Sequence, residues 1–315
     1  MSQKKLVSIG APCFNEELNI IPFYQELTKI INKIEKYDFE LIFVDNGSTD
    51  NTRDKIRKLA AKDKRIVCVF LSRNFGPEAS GQAALDYVSG DVFITMACDL
   101  QDPPDLILKF LKKWEEGYGV VFGIYTKSED NFIITLMRKV FYLVYKKISN
   151  INVPVNATGY SLIDNKVIRA LKTLPEKYRF VRGLKVWVGF KTAYIYYKKG
   201  NRKHGKSSYN IFDYLHHAER GIFGFSYLLL DLIIYLGFIL VGLSFLFIIV
   251  YLFLFFLFGN PIKGAVTILV AIVFFGGIQL LAISIIGKYI EVIVEETKNR
   301  PMYIIEDTVN LKLKS

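Results

Sequence analysis

The sequence predicts an α/β domain built on a mostly parallel sheet, joined through interfacial helices to a two-helix transmembrane hairpin. Three observations carry that expectation. Short runs of β-branched and aromatic residues alternate with helix-length segments through the first part of the chain, as right-handed βαβ units require. Residues 1–226 mix charged and apolar side chains as a water-soluble domain does, whereas 227–286 is almost free of charge. Successive strand-like runs also end in polar or acidic residues, which a parallel sheet gathers along one edge.

The elements follow in order. Residues 6–12 read as a buried strand, followed by Cys13-Phe14-Asn15-Glu16-Glu17 and an amphipathic helix to about Glu35. Residues 39–45 form a second strand, ending in Asn46-Gly47-Ser48-Thr49-Asp50, a turn rich in capping residues ahead of a helix over 52–62. A third strand spans 65–71 and leads through Ser72-Arg73-Asn74-Phe75-Gly76 into a small-residue helix over 79–87. The fourth, 91–95, runs into Met96-Ala97-Cys98-Asp99-Leu100-Gln101-Asp102-Pro103-Pro104. Asp99 and Asp102 there are candidates for a metal or diphosphate site; the alternative is a turn in which Asp102 caps a helix with Pro103 at its first position. Convergence of Asn15-Glu16, Asp45-Asn46 and Asp99 on one crevice favours a site. Neither GxGxxG nor GxxxxGK[ST] occurs, which argues against a dinucleotide fingerprint or a P-loop.

Residues 131–149 place Ile133, Met137, Val140, Val144 and Ile148 on one helical face, with Arg138, Lys139, Lys146 and Lys147 elsewhere. That pattern suits a helix in a headgroup layer or an ordinary core-facing surface helix. Residues 211–226 lead directly into the apolar block and are better placed to be interfacial. Residues 232–258 and 265–286 are each long enough to cross a bilayer core of about 30 Å, with Gly259-Asn260-Pro261-Ile262-Lys263-Gly264 as the turn between them. Basic residues on the side of both termini place those termini in the cytoplasm, and Asp231 reads as interfacial. Neither span carries a charge deep inside, which counts against a transporter or channel. The expected organisation is a cytoplasmic domain over 1–210, a juxtamembrane helix over 211–226, a hairpin over 227–287 and a cytoplasmic tail over 288–315.

The net charge of +11 is compatible with nucleic-acid binding, but the basic residues cluster at 138–147 and 177–206, ahead of the apolar block. Anionic headgroups or a phosphate-bearing lipid explain that placement better, and no nucleic-acid-reading module is present. Cys13, Cys68 and Cys98 are an odd set without a CxxC pair, so neither zinc nor a disulfide framework is indicated. The apolar run at 6–12 is too short for a signal peptide. A water-soluble anionic donor meeting a lipid acceptor fits this arrangement, with Mg2+ or Mn2+ bound by carboxylate and amide oxygens together with substrate phosphates.

Pro12-Cys13-Phe14-Asn15-Glu16-Glu17, Val44-Asp45-Asn46-Gly47-Ser48-Thr49-Asp50-Asn51-Thr52, Leu71-Ser72-Arg73-Asn74-Phe75-Gly76 and Cys98-Asp99-Leu100-Gln101-Asp102-Pro103-Pro104 resemble the family-2 glycosyltransferases of GT-A fold. Within these the chain is similar to the polyprenyl-phosphate glycosyltransferases, the bactoprenol glucosyltransferase and dolichol-phosphate mannose synthase group. The similarity extends through Arg202-Lys203-His204-Gly205-Lys206-Ser207-Ser208-Tyr209 to the two-span end. The resemblance implies that Pro12, Asn15, Glu16, Asp45 and Cys98 hold the donor nucleotide, and that Asp99 with Gln101 holds the metal on its diphosphate. It further implies that Arg202, Lys206 and Ser207 lie on a loop over the diphosphate or acceptor phosphate. Asp99 and Arg202 are then the catalytic pair, and Arg138 and Arg182 additional phosphate candidates. The implied partners are a nucleotide sugar, UDP-glucose by analogy, a polyprenyl phosphate and the bilayer of the inner membrane, with homo-oligomerisation left open.

Two departures stand out. Ala97 occupies a position where many relatives carry an Asp, and Asn156-Ala157-Thr158-Gly159-Tyr160 falls where relatives often place a carboxylate. A phosphate monoester is largely a dianion at neutral pH, so a missing base matters less than for a sugar hydroxyl, and inverting in-line displacement at the sugar C1 follows as the expected mechanism. A processive polysaccharide synthase would carry a QxxRW-type motif and more spans, and neither Trp114 nor Trp187 follows an Arg. A degenerate transferase acting as a membrane scaffold, suggested by Ala97 and Ala157, is opposed by the intact Asn15, Asp45, Asp99 and Gln101.

Overall fold

The computed structural model describes residues 4–126, 154, 156–200, 219, 221–259 and 265–311. The helix expected over 131–149 lies outside the described residues, as does most of 211–226. Among the described residues, eight strands form one sheet in the order β7-β5-β6-β4-β1-β2-β3-β8. They are β1 (Lys5–Cys13), β2 (Tyr37–Asp45), β3 (Ile66–Leu71), β4 (Val92–Thr95), β5 (Val120–Tyr125), β6 (Ala157–Asp164), β7 (Thr192–Tyr197) and β8 (Ile305–Val309). β1 runs parallel to β2 and β4, and β2 to β3. β6 enters antiparallel between β4 and β5, and β7 lies parallel to β5 at one edge.

Apolar runs without polar alternation, such as the fully buried β3, need cover on both faces. On one face α1 (Ile20–Ile31), α2 (Thr52–Lys62) and α4 (Leu106–Glu115) supply Phe23, Ile56 and Phe110 to a core around Phe43 and Ile94. On the other, α3 (Pro77–Asp86), α5 (Asn165–Thr173) and α6 (Val181–Trp187) pack Ala83, Val167 and Leu184 around Val44 and Phe93. The small residues of α3 allow it to lie close to the sheet: a Cβ added at Gly10 would stand 2.6 Å from the Phe93 ring and 3.0 Å from the Ala84 Cβ.

Register fixes the crevice. Cys13 pairs with Asp45, Asp45 with Phe70 and Gly10 with Thr95, so the ends of β1 to β4 line one edge. The antiparallel β6 begins at that same edge, because Thr95 pairs with Ser161 and Ile124 with Ala157. β7 ends there as well, Tyr125 opposite Tyr197.

Several boundaries move. α1 stops at Ile31 rather than near Glu35, because the chain turns at Asn32 to enter β2 early. α3 starts at Pro77, with Gly76 at φ +91° setting the entry and proline at a position whose N–H has no intrahelical partner. The segment 288–315, read from the sequence as a tail, contributes a strand to the sheet. Its β8 pairs antiparallel with β3, Cys68 opposite Val309 and Leu71 opposite Ile305. Arg57 meets Asp307 at 2.5 Å, and the Asn310 amide donates to the carbonyls of Ala60 and Ile66 at 2.9 Å each. The buried β3 thereby gains a neighbour on its open side.

α7 (Leu228–Phe258) and α8 (Ala265–Thr297) are long and apolar enough to cross a membrane, and α7 buries none of its 31 residues against protein. Their outer ends meet at the domain. The Tyr289 hydroxyl donates to the Ser226 carbonyl at 2.8 Å, and Lys288 bridges Glu219 at 3.1 Å. α8 continues to Thr297, past the expected end at 286, and its Glu296 accepts the main-chain N–H groups of Lys177 and Tyr178 at 2.9 and 2.8 Å.

Candidate active site

The loops after β1 and β2 are laced together. Asn15 takes the left-handed conformation at φ +53°, its N–H donating to the Ser48 hydroxyl and its side-chain oxygen accepting the Thr49 N–H, both at 2.9 Å. The Glu16 N–H donates to the Thr52 hydroxyl at 2.9 Å, and Asn51 donates to Glu17. A non-glycine residue in that backbone region is uncommon and persists only where its surroundings fix it. Asn15 remains exposed, with Pro12 and Glu16 half-buried beside it.

Asp45 is placed differently from a freely accessible ligand. Its carboxylate is fully buried, accepts the Ser48 N–H at 3.2 Å and receives Arg53 Nε at 2.6 Å. Next to it Asn46, also buried, donates to Asn74 Oδ1 at 3.0 Å and accepts the Phe75 N–H at 3.0 Å, which fastens the loop after β3 over the turn. Arg53 was not singled out from the sequence. Its signal is local: a cation in the first turn of α2 opposes the helix dipole and calls for a specific anionic partner.

Beyond β4 the chain turns through Leu100 at φ +58°. Asp99 is half-buried and accepts the Gln101 N–H at 3.1 Å, leaving most of its carboxylate available. Asp102 is not a helix cap. α4 begins three residues after Pro103, at Leu106, preceded by Asp105. Asp102 is instead buried and accepts a hydrogen bond from the Tyr197 hydroxyl. Burial pushes its carboxyl up to about 6, against the Tyr197 hydrogen bond, which acts in the opposite direction. The Gly200 N–H donates to the Gln101 carbonyl at 2.8 Å, which ties the segment after β7 to the acidic loop.

Cys98, expected on the donor nucleotide, turns its thiol into the core, 2.7 Å from the Cys13 sulfur and beneath the Pro12 carbonyl. Burial and the neighbouring Cys98 raise the Cys13 thiol well above its usual range. Arg182 lies at the mouth, donating to the Ala157 carbonyl at 3.2 Å. One turn further along α6, Lys185 is buried and donates to the Ser161 hydroxyl at 2.7 Å. Arg138, Arg202, Lys206 and Ser207 lie outside the described residues.

A divalent ion has a limited donor set here. Among the described residues no three His, Cys, Asp or Glu side chains form a metal cluster, and position 97 offers an exposed Ala. Asp99 with the Gln101 amide fits an ion that takes its remaining ligands from a diphosphate and water, as Mg2+ and Mn2+ do.

Residues 8–172 match Glycosyl transferase family 2. The chain is 36% identical over 315 residues to the uncharacterized glycosyltransferase YkcC of Bacillus subtilis, covering 100% of this chain and 97% of that one. It is 35% identical to the SfII prophage-derived bactoprenol glucosyl transferase of Shigella flexneri, over 95% of this chain and 97% of that one. Among solved structures it resembles Mycobacterium tuberculosis glucosyl-3-phosphoglycerate synthase with a TM-score of 0.48 and 18% identity, over 70% of this chain and 78% of that one. With the family match spanning more than half the chain and the relatives aligning across nearly all of it, this glycosyltransferase belongs to glycosyl transferase family 2.

Proposed function

We propose that the protein moves a hexose, glucose from UDP-glucose foremost, onto a polyprenyl phosphate at the cytoplasmic face of the inner membrane, for cell-surface glycan modification. The observation that carries this reading is that the chain leaving the hairpin enters β8 opposite Leu71, at the sheet's polar edge, while the first helix, α7, buries no residue against protein. Such a surface is stable in lipid and not in water. The names of the bactoprenol glucosyl transferases, similar over nearly the whole chain, support the same acceptor.

In this reading the Asn15–Asp45 end of the crevice takes the nucleoside, with Pro12, Glu16 and the main chain at Cys98 beside it. Asp99 and Gln101 hold Mg2+ or Mn2+, whose charge stabilises the departing nucleoside diphosphate. In this reading Arg182 takes a phosphate, a role that Arg138, Arg202, Lys206 and Ser207 would share. The acceptor phosphate attacks C1 from the face opposite the leaving group, inverting the anomeric centre. Its dianion is the nucleophile, so these residues orient it and offset its charge and need not remove a proton.

Membranes containing the protein, incubated with a panel of radiolabelled nucleotide sugars and extracted for lipid with and without chelator, test the proposal. Label in an acid-labile lipid fraction from one sugar is the expected result. Label that stays in the aqueous phase with every sugar would refute it.

A further inference from the structure

Arg53 joins the tip of β2 to the strand that follows the membrane helices. Its Nε donates to Asp45 and its Nη1 to Glu306, each at 2.6 Å, while Nη2 donates to the Leu71 carbonyl at the end of β3. Three strands thus converge on one guanidinium, whose planar fork fixes the directions of all three bonds in a way an ammonium cannot. Exposure is graded along the chain of contacts: the Asp45 side chain is 0% exposed, Arg53 26% and Glu306 53%. A buried carboxylate is costly to leave without its cationic partner. Asp45 in turn accepts the Ser48 N–H, and Ser48 and Thr49 hold Asn15 in its left-handed turn. The orientation of Arg53 therefore propagates through Asp45 and the 46–50 turn to the exposed Asn15.

We propose that Arg53 is a positioning residue for the nucleoside diphosphate donor and that Glu306 sets it, so that docking of β8 is expressed as donor affinity. This rests on the reading that the Asn15–Asp45 end of the crevice takes the nucleotide.

The test uses the full chain in detergent micelles with a polyprenyl phosphate acceptor. Asp45→Asn, Arg53→Lys and Glu306→Gln are compared with wild type for donor KM, acceptor KM and kcat, and calorimetry measures UDP and GDP binding. Arg53→Lys keeps the charge and loses the fork; donor KM and nucleotide Kd should rise about tenfold, the worth of one charge-assisted hydrogen bond, with acceptor KM unchanged. Glu306→Gln, altering a carboxylate 53% exposed on β8, should raise donor KM about threefold in the same direction. Unchanged donor KM in both folded variants overturns the proposal, as does an equal rise in donor and acceptor KM. If Arg53→Lys fails to fold, Glu306→Gln decides alone. Should Asp45→Asn itself leave nucleotide binding intact, the underlying reading of the nucleotide end fails, and that outcome is distinct from an effect of Asp45→Asn without one of Arg53→Lys.

Discussion

The Tyr197 hydroxyl donates to the buried carboxylate of Asp102, tying the end of β7 to the loop that carries Asp99 and Gln101. Tyr197→Phe leaves that carboxylate without its phenol donor, at a cost of about 1–3 kcal/mol. A lower melting temperature is expected, together with a loss of transfer rate in the protein that remains folded, since Asp99 sits on the loosened loop. Retained melting temperature would show that Asp102 finds another donor.

Gly47 stands at φ +74°, and a Cβ there would come within 2.3 Å of the Arg73 carbonyl carbon. Gly47→Ala should therefore cost more than the roughly 1–2 kcal/mol of a left-handed residue alone. Gly81, inside α3 with nothing within 4 Å of an added Cβ, provides the control. Gly81→Ala should stabilise by about 0.5–1 kcal/mol. Paired melting curves check both.

Asp99→Asn preserves an oxygen for the Gln101 N–H and removes the charge. The variant should fold as wild type while transfer to lipid falls roughly 10²–10³-fold. Chelator should reduce wild-type transfer and have little further effect on the variant, measured as radiolabel in extracted lipid.

Glu296 accepts the N–H groups of both Lys177 and Tyr178. Glu296→Ala leaves two main-chain donors without that acceptor. Amide hydrogen exchange at 177 and 178 should accelerate at least about tenfold, the equivalent of 1.4 kcal/mol, while exchange in β1 stays slow.

Burial lowers the Lys185 amine from 10.5 to about 8, with Glu78 opposing the shift and Arg182 adding to it. Between those two values the unfolded chain binds more protons than the folded one, so this group makes stability rise with pH across that window. Lys185→Met removes the dependence. The melting temperature of wild type relative to the variant should therefore increase from pH 8 to pH 10; a constant difference would refute the assignment.

The first four strands, their order in the chain and the gathering of Asn15, Asp45 and Asp99 at one edge were legible because each rests on a local pattern: an apolar run, a capped turn, an acidic tip; β5, β6 and β7 were not singled out. Asp102 reads from the sequence either as a site carboxylate or as a cap, because a carboxylate before Pro-Pro suits both and its phenol partner is 95 residues away. The partners of Asp45 and Cys98, which are Arg53 and Cys13, were not legible either, because no periodicity reports on such pairs. β8 escaped notice because Ile305-Glu306-Asp307-Thr308-Val309 is short and acidic, and becomes a strand only against β3. Long-range pairing of this kind lies beyond what local propensity encodes.

The position of β8 also orders biosynthesis. A ribosome releases the first seven strands, then both apolar helices, and only then the residues that cover the edge of β3. Until the hairpin has left the exit tunnel, β3 presents unpaired main-chain groups to any neighbouring nascent chain. Completion of the sheet thereby waits until both apolar helices have been synthesised, and a chain arrested before that step carries a sheet that is open on one side.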